Sequence, residues 1–233
     1  MIKIENLTKT FDGYAALDDL TLTIPTGSIY ALMGLNGAGK TTLIRHISDY
    51  LLPDEGSVTI DGKSVHDNEA LKARMQVIPD ELYFPRGYTP KKMAAYYRDV
   101  YPGFDEGRFE QMVRAFGLPE GKAIHTFSKG MKKQTAFALS LAARPDYFIL
   151  DEPVDGLDPI VRKTLWRFLM EDVADREMTV LISSHNAKEM EDVCNYIGIL
   201  ANGKAIFEGD LLEMMPVSIE ELFVEKLGGA YHD

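Results

Sequence analysis

The sequence predicts an α/β fold: a core of buried strands, an antiparallel β subdomain at the N-terminal end and an inserted α-helical subdomain. Three observations predict it. Ser28–Met33 and Tyr147–Leu150 are nearly continuous apolar runs, as strands covered on both faces must be. The first two dozen residues instead alternate, with Ile2 and Ile4 against Lys3 and Glu5, and Leu20, Leu22 and Ile24 against Thr21 and Thr23, the pattern of strands with one wet face. From Thr89 to Arg144 the apolar period is helical.

The elements follow in order. Pro25-Thr26-Gly27 is a turn between the alternating strands and the first buried one. A glycine-rich segment leads into a helix expected from about Lys40 to Leu52, closed by Pro53-Asp54-Glu55-Gly56. Val58–Ile60 with Asp61-Gly62 reads as a strand and turn, and Met75–Ile78 as another strand. Thr89 is an N-cap before Pro90, and Met93, Tyr96, Tyr97 and Val100 form one apolar face. Phe109, Met112, Val113 and Phe116 form a second stripe, stopped by Gly117. Ser128 opens a third helix, with Ala136, Leu139 and Ala143 on a shared face. The α/β pattern then resumes: strand Tyr147–Leu150, helix Ile160–Asp175, strand Thr179–Ser183, helix Ala187–Asn195 and strand Ile197–Leu200. Asn202-Gly203 signals a hairpin into Lys204–Glu208, and Ser218-x-x-Glu221 is a capping box before Leu222, Phe223 and Leu227. We therefore expect one domain over 1–233: a core from 1–85 and 145–210, a helical subdomain over 86–144, and a short helical tail over 211–233.

Composition narrows the function. The chain of 233 residues is 45% hydrophobic and 26% charged, ordinary globular values. Twenty-five basic residues stand against 36 acidic ones, a formal charge of −11, which argues against general binding to nucleic acid or anionic lipid. No apolar run reaches the length needed to span a bilayer, and Met1-Ile2-Lys3-Ile4-Glu5 has no signal-peptide core. The single cysteine, Cys194, permits no internal disulfide and no cysteine zinc site; a reducing, cytosolic location is expected.

Two motifs carry chemistry. Gly34-Leu35-Asn36-Gly37-Ala38-Gly39-Lys40-Thr41-Thr42 contains G-x-x-x-x-G-K-[ST], placed after a buried strand and at the start of a helix, as a P-loop requires. Its glycines let backbone N–H groups converge on phosphate oxygens, and the helix N-terminus adds positive potential. Lys40 can reach the β- and γ-phosphates and Thr41 can ligate Mg²⁺. Tyr147–Leu150 runs into Asp151-Glu152 at the carboxyl end of a strand, where α/β sheets place ligands. Asp151 suits Mg²⁺, directly or through water, and Glu152 can act as general base toward an attacking water. Together they predict a P-loop NTPase core.

With these motifs placed, nearly the whole chain resembles the nucleotide-binding subunits of ATP-binding cassette (ABC) transporters, and bacterial exporter types, such as those of acetoin-utilisation operons, above all. Phe127-Ser128-Lys129-Gly130-Met131 stands where that family has Leu-Ser-Gly-Gly-Gln. Asp155-Gly156-Leu157-Asp158-Pro159 is similar to the D-loop, Ser184-His185 to the switch histidine, and Phe11 to the aromatic that stacks on adenine. The resemblance implies ATP and Mg²⁺ as ligands and a dimer of cassettes in which Ser128, Lys129 and Gly130 close over the partner's ATP. It also implies transmembrane permease subunits on other chains, no nucleic-acid partner, and a place on the cytoplasmic face of the cell membrane. A soluble, non-transport ABC-type ATPase is the alternative. The segment between Lys40 and Ser128 leaves no room for the long coiled coil of DNA-repair types, and ribosome-acting types carry two cassettes. No Asn/Thr-Lys-x-Asp motif points to guanine.

Two departures from the family pattern matter. The signature has Lys129 for glycine and Met131 for glutamine. After Val77-Ile78-Pro79, where the family has glutamine, stands Asp80. Two readings of Asp80 stay open: it joins Asp151 and Glu152 beside one Mg²⁺, or it caps a turn and faces solvent. Lys132 and Lys133 read as a solvated helix face, Cys194 as a small buried residue, and His46, His66, His125 and His232 as structural.

Overall fold

The computed structural model describes residues 1–214 and 218–230; the His232 reading and the end of the predicted tail lie outside them. Strands β1 (Ile2–Phe11) and β2 (Tyr14–Ile24) form an antiparallel hairpin. They turn on Asp12-Gly13, with φ of 48° and 84°, the left-handed backbone a two-residue hairpin loop demands. β1 also pairs with β4 (Glu55–Ile60), which folds back through Asp61-Gly62 into β5 (Lys63–Ser64). The resulting four-stranded sheet has the order β2-β1-β4-β5.

The second sheet positions the chemistry. β3 (Ile29–Gly34), β6 (Met75–Ile78), β7 (Tyr147–Asp151), β8 (Thr179–Ser184) and β9 (Tyr196–Ala201) run parallel, with β10 (Lys204–Asp210) antiparallel on the edge, in the order β10-β9-β3-β8-β7-β6. Every residue of β3, β7 and β8 is buried. Their side chains alternate between two cores. Ala31, Met33, Phe148 and Leu150 face the helical side, whereas Tyr30, Leu32, Tyr147 and Ile149 face the antiparallel sheet. The continuous apolar runs of the sequence have this cause: both faces are covered.

Helices α1 (Lys40–Ile47), α2 (Glu69–Lys72), α3 (Pro90–Val100), α4 (Glu106–Phe116), α5 (Lys129–Ala142), α6 (Pro159–Arg176), α7 (Ala187–Met190), α8 (Leu211–Met214) and α9 (Ile219–Ala230) complete the chain, with a short 3₁₀ turn at Ile124–Thr126. The predicted caps at Thr89 and Ser128 appear, each accepting a hydrogen bond from the third residue of its helix, and Gly117 ends α4 in the left-handed conformation; Asp105, which the sequence reading did not single out, caps the start of α4 in the same way.

Two helices are shorter than predicted. α1 ends at Ile47 rather than Leu52 because Tyr50 and Leu51 both turn their N–H back to the Arg45 carbonyl. α7 ends at Met190 rather than Asn195 because β3 captures Asn195: its Oδ1 accepts from Ile29 N–H at 2.8 Å and its N–H donates to the Ile29 carbonyl at 3.0 Å. Both stops are tertiary or strained-loop events without a Gly or Pro at the end itself.

The segment from α3 to α5 is tied to α6 by a charged cluster. Arg108 of α4 donates to Asp172 at 2.8 and 3.0 Å, pairs with Glu171 at 3.0 Å, and lies 4.7 Å from the Phe168 ring. Asp172 is buried, and Arg176 pairs with its other oxygen at 3.1 Å, so the carboxylate is satisfied.

In the sheet interior, Gly198 sits against the buried Tyr30, whose hydroxyl donates to Glu208 at 3.0 Å. A Cβ at Gly198 would overlap the Tyr30 hydroxyl. Gly198→Ala is expected to destabilise the fold by about 1–3 kcal/mol through overpacking, lowering Tm by roughly 2–4 °C per kcal/mol. An unchanged melting curve would show that Tyr30 yields freely.

Candidate functional site

The site is built where β3, β7 and β8 end. Gly37 and Gly39 have φ of 86° and 108°, conformations that L side chains rarely adopt. Gly39 is the N-cap of α1 and supplies no capping side chain, so the first N–H groups of the helix face the loop rather than a protein oxygen. A Cβ on Gly39 would come within 2.7 Å of the Ala16 carbonyl. The Lys40 side chain is buried and donates to the Gly34 carbonyl at 2.7 Å and the Leu35 carbonyl at 3.3 Å, with Glu152 Oε1 at 3.6 Å. Burial depresses its pKa below the usual lysine range, with Glu152 and Asp151 opposing.

Asp151 is 3% exposed. Both its oxygens are met by hydroxyls: Thr41 Oγ1 donates to one at 2.8 Å and Ser183 Oγ donates to the other. Glu152 follows with φ 48°, a left-handed backbone that costs an L residue about 1–2 kcal/mol. Its N–H donates to Ser183 Oγ at 3.0 Å, and His185 Nδ1 lies 3.1 Å from its Oε2. A groove of about 450 Å³ runs from this cluster along residues 35–42, which include Asn36, Ala38 and Thr42, to Phe11 and Tyr14. These two aromatics face each other across the hairpin tip, 42% and 61% exposed. A larger groove of about 1020 Å³ lies between α6 and α7 at Ile160, Trp166 and Met170, but it lacks the glycine turn and the buried aspartate that give the smaller one its chemistry.

Thus Phe11, residues 36–42, Asp151, Glu152 and His185 are brought to one place, whereas four candidates are not. Ser128 caps α5, accepting from Met131 N–H at 3.2 Å. Gly130 packs beside Leu157, and Asp158 caps α6, accepting from Ile160 and Val161 N–H at 3.1 and 3.0 Å. Lys129 pairs with Asp155 at 3.2 Å and with Asp80 at 3.5 Å.

Asp80 lines the groove but is turned to lysines: its Oδ1 lies 3.1 Å from Lys133 Nζ. Burial would raise its pKa; Lys133 and Lys129 outweigh burial and hold the carboxyl below its ordinary value. Lys133 itself corrects the sequence reading. It is 2% exposed, not solvated, because the Glu152 carbonyl and Asp80 give its ammonium buried partners. Tyr14, Ser183 and Lys133 were missed from sequence. The aromatic pair flanking Asp12-Gly13 was the available signal for Tyr14; nothing local marks Lys133.

Hydroxyl and carboxylate oxygens from Thr41 and Asp151 suit a small hard cation that takes its remaining ligands from phosphates and water. Among the described residues no cluster of three or more His, Cys, Asp or Glu could hold a metal. No described helix is long and apolar enough to cross a membrane.

Comparison with known proteins places this geometry. The ABC transporter family model matches residues 17–155. The ABC transporter ATP-binding protein YtrB of Bacillus subtilis (strain 168) is 36% identical over 214 residues, covering 92% of this chain and 73% of its own. The lantibiotic transport ATP-binding protein SrtF of Streptococcus pyogenes is 32% identical over 214 residues, 89% and 90% of the two chains. A solved ATP-binding subunit of an ABC transporter superposes with a TM-score of 0.87 at 28% identity, over 97% of this chain and 99% of that one. A dimeric ATP-binding cassette with ADP and Pi bound shares the fold, with a TM-score of 0.80 at 22% identity over 91% and 99%. The chain belongs to the ABC transporter family, as an ATP-binding subunit and ATPase.

Ser183→Ala would leave the Glu152 N–H and one Asp151 oxygen unpartnered. We expect a loss of about 1–3 kcal/mol, the usual penalty for stranded buried polar groups, measured as a lower urea midpoint at unchanged m-value. Wild-type stability would show that water replaces the hydroxyl.

Proposed function

We propose that the chain is a Mg²⁺-dependent ATPase that drives separate transmembrane permease subunits by ATP-dependent dimerisation of cassettes. The observation that carries this reading is the convergence of Lys40, Thr41, Asp151, Glu152 and His185 at the ends of three adjacent strands. Phe11, with Tyr14 opposite, offers a face for adenine. The backbone of Asn36, Gly37, Ala38 and Gly39 and the residues Lys40, Thr41 and Thr42 would cradle the phosphates. Phosphate oxygens would take over the Lys40 donors now spent on the Gly34 and Leu35 carbonyls. Thr41 and Asp151 would hold Mg²⁺, which offsets triphosphate charge when bound.

Glu152 would accept the proton of an attacking water, and His185, already beside it, would hydrogen-bond the γ-phosphate. Ser128 caps a 14-residue helix with Gly130 in its first turn, and neither lines the chain's own groove, which fits a phosphate presented by a second cassette. Lys129 and the D-loop Asp158 would lie at that same cassette interface. The 86–144 segment would be the signature subdomain, set against the nucleotide-binding core of 1–85 and 145–210 and the tail from 211. The assembly would sit on the cytoplasmic face of the cell membrane through its permease, without nucleic acid. The names of relatives in lantibiotic and bacitracin transport support a transporter subunit; export rests on the motif resemblance alone.

Lys40→Ala should abolish detectable ATP hydrolysis and weaken nucleotide binding, since it removes the buried P-loop cation. Normal turnover in that variant would sink the assignment. Glu152→Gln should keep ATP binding, slow turnover by ~10²-fold or more, and accumulate a dimer holding two ATP. Size-exclusion chromatography with Mg·ATP that yields monomer alone would argue against the composite site.

A further inference from the structure

The Glu152 peptide is held from both sides by side chains of other elements. Its N–H donates to Ser183 Oγ of β8 at 3.0 Å, and its carbonyl accepts from Lys133 Nζ of α5 at 2.5 Å. This double hold falls on a residue whose φ of 48° is unfavourable for an L side chain, and a backbone of that kind persists only where its surroundings over-determine it. Lys133 is an almost fully buried lysine, and a buried ammonium needs a counter-charge. Asp80 supplies one: its Oδ1, buried and without an aligned hydrogen bond of its own, lies 3.1 Å away. Lys129, one turn earlier on the same face of α5, ties Asp80 to Asp155 in the loop after Glu152.

We propose that Lys133, charge-compensated by Asp80, is the positioning residue for Glu152, fixing the peptide whose side chain faces Lys40 and His185. The inference rests on the reading of Glu152 as general base. Asp80 then acts through Lys133 and not on the metal. The acid after Pro79 and the lysine in α5 form one device: the loop leaving β6 reports its position to the Glu152 carbonyl through a single ammonium. Lys133 touches no reacting atom.

The test uses the full chain with Lys133→Met, which keeps the stem and removes the ammonium, Asp80→Asn, and the double variant. Steady-state ATP hydrolysis, displacement of a fluorescent ATP analogue, Mg²⁺ titration and amide hydrogen exchange are measured on each. Lys133→Met should lower kcat by about tenfold or more, since small displacements of a catalytic group are costly, with KM and nucleotide affinity within about twofold. Amides of 152–157 should exchange about tenfold faster as the loop loses its tie, while those of 34–42 do not change. Asp80→Asn should lower kcat alone, add nothing in the Lys133→Met background, and leave the Mg²⁺ half-saturation unchanged.

An unchanged kcat or unchanged loop exchange in Lys133→Met overturns the proposal. So does an Asp80→Asn effect that persists in the Lys133→Met background or shifts the Mg²⁺ curve, which would return Asp80 to the metal. Thermal melting separates either result from misfolding, and Asp80→Asn, at a partly exposed position, gives the second route if Lys133→Met does not fold. Wild type without ATP turnover overturns the proposed function instead, and the exchange rates of 152–157 still decide whether Lys133 holds the loop.

Discussion

A carboxylate that is 3% exposed needs hydrogen-bond partners inside the protein, and Asp151 obtains them from two other elements, a helix and a strand. Thr41, one residue into α1, donates to one oxygen, and Ser183, near the end of β8, donates to the other. The interaction works only if β3, β7 and β8 end at one level. Their parallel register secures that, with Asp151 opposite Ser183 and Met33 opposite Ser184. The glycine loop, the buried lysine and the strained glutamate are arranged around this carboxylate, so the sheet register is also the register of the site.

Charge is distributed against the trend of the whole molecule. The chain carries a formal −11, yet two buried lysines converge on Glu152: Lys40 near its carboxylate and Lys133 on its carbonyl. They come from different elements, α1 and α5, so the glutamate senses both the core and the helical subdomain. A second buried charge cluster, Arg108 with Asp172 and Arg176, joins the subdomain to α6, and none of these residues lines the groove. The interior of the groove is therefore electrostatic, whereas the contact between subdomains adds this charged cluster to a shared apolar core that includes the Phe116–Phe168 and Phe137–Phe148 pairs, and the sheet is held by apolar packing on two faces.

Much of this was legible in the residues. The two-faced burial of β3 and β7 showed as unbroken apolar runs. The caps at Thr89, Ser128 and Gly117 are local chemistry, and the P-loop and the Asp151-Glu152 pair are contiguous motifs whose backbone requirements are written in their own glycines and strand ends. The lengths of α1 and α7 were not legible, because one ends on a strained turn at Asp49 and the other on capture of Asn195 by β3.

The sequence by itself determined the fold class, the order of elements and the nucleotide-type motifs, since each depends on residues within about ten positions of one another. Tertiary structure alone decided which charges meet. Lys132 and Lys133 are adjacent and chemically identical, but helical geometry points only Lys133 inward to the Glu152 carbonyl, 19 residues away in sequence. Asp80 lies beside lysines 49 and 53 residues further along, at 3.5 and 3.1 Å. Such contacts have no local signature: a side chain's partner depends on where two distant elements cross, and that is fixed by packing rather than by the residue itself.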